Sequence, residues 1–260
     1  MLSIGIDIGG TKIAGGLVDE SGVIVRARRV DTPEGPRAIE DAVAAMIGEL
    51  REGTDARAAG VAAAGFMDRE RTRVRFAPNI AWRDEPLRDR ISELSGVPVV
   101  IENDADAAGW AEFRFGAGRG RSHMTMLTLG TGVGGAIIAG GELSRGGFGI
   151  GGELGHLRLV PDGLPCGCGR YGCLEQYASG NALRRIANEI ADAEASGIGA
   201  SLDAARGADG RVSGHAIAEL VRADDPGALE ALRRVAASLG EACGSFAAVL
   251  DPEIFVIGGG

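Results

Sequence analysis

The chain has 260 residues, 45% hydrophobic and 24% charged, with a formal net charge of −9 and a pI near 5.0. That length permits two lobes or one large domain, and the acidic balance excludes the basic stripe of a general nucleic-acid or membrane-surface protein. No apolar run is long enough to span a bilayer and Met1-Leu2-Ser3-Ile4-Gly5 has no basic stretch leading into an apolar one, so a cytoplasmic protein is expected.

Residues 2–8 read as a strand ending at Gly9-Gly10, followed by strands from Ala14 to Asp19 and, after the turn Glu20-Ser21-Gly22, from Val23 to Val30. Ile39, Val43, Met46, Ile47 and Leu50 recur at helical spacing and predict a helix from Arg37 to Glu52. Strands are expected from Ala58 to Ala64, ending at Gly65, and from Val97 to Glu102, ending at Asn103-Asp104, before a helix from Asp106 to Phe115. Met124 to Leu129 has the composition of a buried strand and runs into Gly130-Thr131-Gly132-Val133-Gly134-Gly135, with a further strand through Ala139. Helices are expected from Asn181 to Ala195 and from Ala228 to Val249, with loops over 196–214. The last strand, Glu253 to Ile257, meets Gly258-Gly259-Gly260; such a turn usually feeds a helix, so the natural chain is expected to continue. Alternating strands and helices make this an α/β protein, and the two strand–glycine turn–strand units about 120 residues apart suggest a duplicated lobe with a cleft.

Three cysteines and one histidine lie within eighteen residues: His156, Cys166, Cys168 and Cys173. Three thiolates and an imidazole are the ligand set of a closed tetrahedral zinc site, whereas a disulfide would leave an odd cysteine over. Four protein ligands leave no open position, so the ion would shape a loop and not activate water. Cys243, in an apolar helical stretch, reads as a buried thiol, and His123 and His215 as surface residues.

Asp7-Ile8-Gly9-Gly10-Thr11-Lys12 gathers a carboxylate, bare backbone amides, a hydroxyl and an ammonium in one turn. Glycines let amides curl around phosphate oxygens, Asp7 could hold Mg²⁺ through water and Lys12 could neutralise phosphate; an ordinary Gly-Gly hairpin fits the same residues. The second turn mimics a dinucleotide fingerprint, but a strand follows where the fingerprint needs a helix. Two phosphate-shaped turns suit one ATP better than one NAD. Asn103-Asp104 places an amide and a carboxylate at a strand end, where a carboxylate could take the proton of a sugar hydroxyl; taken alone, the pair is more often a turn or a helix N-cap. Glu153 and His156, three apart, would share a face of a helical turn, and Glu175 follows Cys173 by two residues. Such a cluster suits the many hydroxyls of a carbohydrate.

Together these motifs resemble the ROK family of sugar kinases and sugar-responsive repressors, most of all its glucokinases. The resemblance rests on Asp7-Ile8-Gly9-Gly10-Thr11-Lys12, Glu102-Asn103-Asp104-Ala105, Leu129-Gly130-Thr131-Gly132, Gly152-Glu153-Leu154-Gly155-His156, the run from Cys166 to Glu175, and Ala77-Pro78-Asn79-Ile80-Ala81-Trp82. It implies a two-lobed actin/hexokinase-like ATPase fold, a duplicated ribonuclease H-like motif with the ligand cleft between lobes. The lobes would be a small N-terminal one, 1–116, and a larger one, 117–260, with the zinc loop. By the same resemblance Asp104 would be the general base. Gly65, Asn79, Asn103, Glu153, His156 and Glu175 would bind the sugar. Asp7, Gly9, Gly10, Thr11, Lys12, Thr131, Gly132, Gly258 and Gly259 would surround ATP and Mg²⁺, and His156, Cys166, Cys168 and Cys173 would hold zinc. It further implies a homodimer or homotetramer acting on glucose, with N-acetylmannosamine, mannose or fructose as rival substrates. A repressor of the family would need a helix-turn-helix ahead of the first glycine turn, which starts within ten residues of Met1. Asp106 departs from the asparagine usual in the family at that position.

Overall fold

Isoleucine at every second position opens the chain: Ile4, Ile6 and Ile8 are buried on one side of strand β1 (Ser3–Ile8), while Ser3, Gly5 and Asp7 face the other. The structure, a computed structural model, describes residues 2–77, 80–193 and 196–259. The chain folds as two compact units interleaved in sequence, Met1–Ser122 with Ala136–Gly152 and His123–Gly135 with Glu153–Gly260. The split drawn from sequence at 116/117 has no such return segment.

In the first unit β1 pairs antiparallel with β2 (Lys12–Val18), which pairs with the exposed edge strand β3 (Ile24–Asp31). Helix α1 (Pro36–Arg51) carries proline in its first turn, where the missing N–H has no helical partner anyway, and Arg51 in its last. Its buried stripe of Ile39, Val43, Met46, Ile47 and Leu50 packs in one cluster with the isoleucines of β1. Burying each such side chain contributes about 1.5–3 kcal/mol. A Cβ at Gly15 in β2 would stand 2.5 Å from the Met46 sulfur, so glycine there is what lets the helix lie close to the sheet.

Strand β4 (Ala59–Ala63) then joins β1 in parallel. Three very short strands follow, β5 (Phe66–Met67), β6 (Val74–Phe76) and β7 (Arg83–Glu85), forming a small antiparallel sheet. They lead to helix α2 (Leu87–Ser95), closed by Gly96 at φ 68. Strand β8 (Val99–Asn103) completes the main sheet in the order β3-β2-β1-β4-β8 and passes directly into helix α3 (Asp104–Phe115), two residues earlier than the spacing predicts.

In the second unit β9 (Met124–Leu129) leads through the second glycine turn into β10 (Val133–Ala139), whose end re-enters the first unit and pairs with β11 (Glu142–Leu143). A single 3-10 turn spans Leu154–His156, and α4 (Glu175–Ala178) and α5 (Gly180–Ala193) follow the cysteine loop. Helices α6 (Ala200–Ala204) and α7 (Gly214–Arg222) occupy and follow the stretch expected as loops. Asp225 caps α8 (Pro226–Leu250) by accepting the Ala228 N–H at 2.9 Å. Ile186, Ile190, Leu202, Ile217 and Val235 form the core of this helical group. The last strand, β12 (Ile254–Gly259), pairs parallel with β9. Among the described residues no helix is long and apolar enough to cross a membrane.

Candidate active site

In the first unit the register levels three strand ends: Ile8 lies opposite Ala63, and Ala63 opposite Asn103. Each parallel strand therefore hands the chain to a predicted site residue at the same edge, where open α/β sheets bind ligands. From β1 the chain enters the Gly9-Gly10 turn, closed by Gly9 N–H on the Lys12 carbonyl at 3.0 Å. Thr32, which the sequence did not single out, braces this turn: its hydroxyl donates to the Gly9 carbonyl at 2.7 Å and its N–H to the Thr11 carbonyl at 2.9 Å. Thr11 and Lys12 stay exposed.

From β4 the chain reaches Gly65 at φ 152, where a Cβ would stand 2.8 Å from the Phe76 carbonyl oxygen. The Gly65 carbonyl accepts from Asn103 Nδ2 at 3.1 Å. Asn103 also caps α3, its Oδ1 accepting the N–H groups of Ala105 (2.9 Å) and Asp106 (3.1 Å). Both sequence readings of Asn103 are thus compatible, because an amide has two N–H donors and one is left for a hydroxyl. Asp104, first residue of α3, is exposed, with Oδ1 on its own following N–H at 3.0 Å. Asn79 lies outside the described residues.

Asp7 is open to solvent but sits in a concavity. Desolvation there, and then the neighbouring Asp104 carboxylate, raises its pKa above the usual 3.8. Two carboxylates that repel one another are hard oxygen donors fitted to a divalent cation such as Mg²⁺. A raised pKa means that native Asp7 binds protons more readily than unfolded Asp7, so its ionisation costs stability as pH rises through that window. Asp7→Asn is therefore expected to raise the melting temperature at pH 7, with the gain vanishing below about pH 3.8, where both states are protonated. Thermal melts at several pH values check this, and a lower melting temperature at pH 7 would refute it.

In the second unit the glycine turn is held from two sides. The Gly180 N–H donates to the Gly130 carbonyl at 2.8 Å, and Glu175 Oε2 accepts the Val133 N–H at 3.2 Å. A Cβ on Gly132 would stand 2.2 Å from that carboxylate oxygen. Glu175, expected only at the sugar, is thus also a brace for the turn carrying Thr131 and Gly132. Gly258 and Gly259 lie opposite Thr128 and Leu129, at the same edge. At Gly259 (φ 114) a side chain would collide with the Leu129 carbonyl.

The Cys/His side chains come together in space. The ligand atoms of His156, Cys166, Cys168 and Cys173 all lie within 4.8 Å of one another. The contacts His156 Nδ1 to Cys166 Sγ and Cys168 Sγ to Cys173 Sγ are both 3.7 Å. A tetrahedron with sulfurs about 2.3 Å from zinc has edges of about 3.8 Å, so the donor set fits that ion. Burial, and then hydrogen bonds that the Cys173 thiol donates to Cys168 and Cys166, push its pKa up to about 12. Tight turns make this possible: Cys166 N–H binds the Arg170 carbonyl at 2.8 Å, and Gly172 sits at φ 75, where a Cβ would collide with the Val160 carbonyl. His156 turns Nδ1 toward the cysteines, so a metal held there would leave Nε2 for a hydrogen bond. Glu153 forms the 3-10 turn by accepting the His156 N–H on its carbonyl at 3.0 Å. Cys243 is half-buried in α8, away from the cluster in sequence.

The ROK family model matches residues 3–260. The glucokinase of Streptomyces coelicolor is 47% identical over 259 residues, which cover 100% of this chain and 82% of that protein. The glucokinase of Thermotoga maritima is 38% identical over 260 residues, 99% of this chain and 81% of its own. A crystal structure of a ROK family glucokinase from Streptomyces griseus, in complex with glucose and AMPPNP, superposes with a TM-score of 0.88 at 48% identity, covering 100% of this chain and 83% of that one.

Proposed function

The chain belongs to the ROK family, and from that premise we propose that it is an ATP-dependent glucokinase, forming glucose 6-phosphate and ADP. The observation that carries this reading is the likeness, over all of this chain and 83% of the other, to the Streptomyces griseus glucokinase in complex with glucose and AMPPNP.

Asp104 would take the proton of the glucose 6-hydroxyl as its oxygen attacks the γ-phosphorus and the bond to ADP breaks. Asn103, already fixed by Gly65 and by the helix it caps, would offer its remaining amide proton to a sugar hydroxyl. Glu153, Glu175 and the free Nε2 of His156 would complete the hydroxyl partners, with Gly65 and Asn79 beside them. Gly9, Gly10 and Thr11 would present amides and a hydroxyl to phosphate and Lys12 its charge; Thr131 and Gly132 would also meet the phosphates, and Gly258 and Gly259 would approach the nucleoside. Asp7 would hold Mg²⁺, which when bound supplies charge neutralisation to the triphosphate. The zinc set would be structural, keeping His156 and the segment leading to Glu175 in place. Catalysis of this kind is positioning and charge stabilisation; no covalent intermediate is needed.

The test is a coupled ADP-release assay with glucose, mannose, fructose and N-acetylmannosamine. Glucose is expected to give the highest kcat/KM, by at least about tenfold. Preference for N-acetylmannosamine would move the protein to another branch of the family. ADP release that no sugar stimulates would end the kinase reading.

A further inference from the structure

Glu102 is the strand residue directly before Asn103 and Asp104, and both oxygens of its carboxylate are engaged. Oε2 accepts from Arg145 through Nε (2.9 Å) and Nη2 (2.5 Å) and from Arg71 Nη1 at 3.3 Å. Oε1 accepts the Asn103 backbone N–H at 3.2 Å. The Glu102 side chain is 15% exposed, against 29% for Arg145 and 37% for Arg71. It lines a cavity of about 1210 Å³ on the sheet face opposite the α1 core, in a row with Asp7 and Ala62, while Asn103 and Asp104 do not line it.

A turn with an unfavourable backbone conformation and a tightly closed loop deliver the guanidinium groups. Arg71 has φ 52, unfavourable for a side chain with a Cβ, and the Asp68 carboxylate holds it there by accepting from Thr72 N–H (2.7 Å), Thr72 hydroxyl (2.5 Å) and Arg73 N–H (2.9 Å). The loop after β11 closes on itself through Gly151 N–H to the Arg145 carbonyl at 2.8 Å. It lies so close to the Asp68 turn that a Cβ on Gly149 would stand 2.8 Å from backbone there. Backbone strain of this kind persists where the geometry it secures has a use.

We propose that Arg145, with Arg71 as second cation, is a positioning residue for phosphoryl transfer. It holds Glu102, Glu102 holds the Asn103 peptide, and that peptide sets the aim of Asp104. Its role rests on Asp104 being the base of a hexose kinase. A simple loop tether would instead cost stability and leave the chemical step alone.

A double-mutant cycle of Arg145→Met and Glu102→Gln, assayed with glucose and ATP, separates the two. Each single variant is expected to lose about 10- to 100-fold in kcat with KM for both substrates within about threefold, and the double to be no slower than the slower single. Arg145→Lys, which keeps the charge but not the planar fork, should recover part of the loss. If Arg145→Met fails to fold, the cycle of Arg145→Lys with Glu102→Gln reads the same coupling. Losses that multiply, or that fall on KM or melting temperature with kcat kept, overturn the proposal. A wild type inactive on every hexose would sink the kinase reading and this role with it, whereas multiplying losses in an active enzyme sink this role alone.

Discussion

Asp104→Asn is expected to lower the turnover of glucose phosphorylation by about 10²–10⁴ while glucose affinity stays within a few-fold of wild type. The substitution removes one proton acceptor and little else. Asn can repeat the local bond from the Ala105 N–H, which Asp104 Oδ1 accepts at 3.0 Å, and can occupy the first turn of α3. Losing a negative charge at that helix N-terminus costs only about 0.3–1 kcal/mol of stability. A loss of 10²–10⁴ corresponds to about 2.7–5.5 kcal/mol of transition-state stabilisation, well above that cost, so lost folding would not explain it. Single-turnover kinetics with calorimetric titration of glucose would check both halves. Turnover near wild type would remove Asp104 from the role of base.

Cys166→Ala should act on binding and stability together. Cys166 is buried and its Sγ touches His156 Nδ1 at 3.7 Å, so its loss opens the tetrahedron on the side of the histidine. The segment from Cys173 to Glu175 is then held by one ligand fewer, and Glu175 is the residue that braces Val133 in the second glycine turn. Loss of a structural metal ligand removes part of the folding free energy as well. The expected result is loss of bound zinc, a lower melting temperature and a KM for glucose raised about tenfold or more, with kcat less affected. Metal analysis, thermal melts and steady-state kinetics on the same preparations check it. Wild-type protein without zinc, together with a normal variant, would remove the structural role of the ion.

The parts of this protein that repeat locally were legible in its sequence. β1 and α1 announce themselves by period, β9 by its apolar run and the Cys/His cluster by spacing, because neighbouring residues are enough to define them. Elements with too few residues for a period were not. Phe66–Met67, Val74–Phe76 and Arg83–Glu85 are two or three residues long, and α2 has only Leu87 and Ile91 buried, with no side chain capping its start. α7 did carry a usable signal, Ser213, whose side chain accepts the Ala216 N–H, within a stretch whose Gly, Ala and Asp content read as loop. In the site, Asn103 could be read as a cap or as a ligand because it has the atoms for both. The pairing of Glu102 with Arg71 and Arg145 spans 31 and 43 residues, a separation at which no local pattern exists to read.

The chemistry is tested most directly by incubating the wild-type protein with ATP, Mg²⁺ and ¹³C-labelled glucose and following phosphorus and carbon by NMR. Equal amounts of ADP and glucose 6-phosphate are expected. ADP and free phosphate beside unchanged glucose, or phosphate carried on a different carbon, would contradict transfer to the 6-hydroxyl.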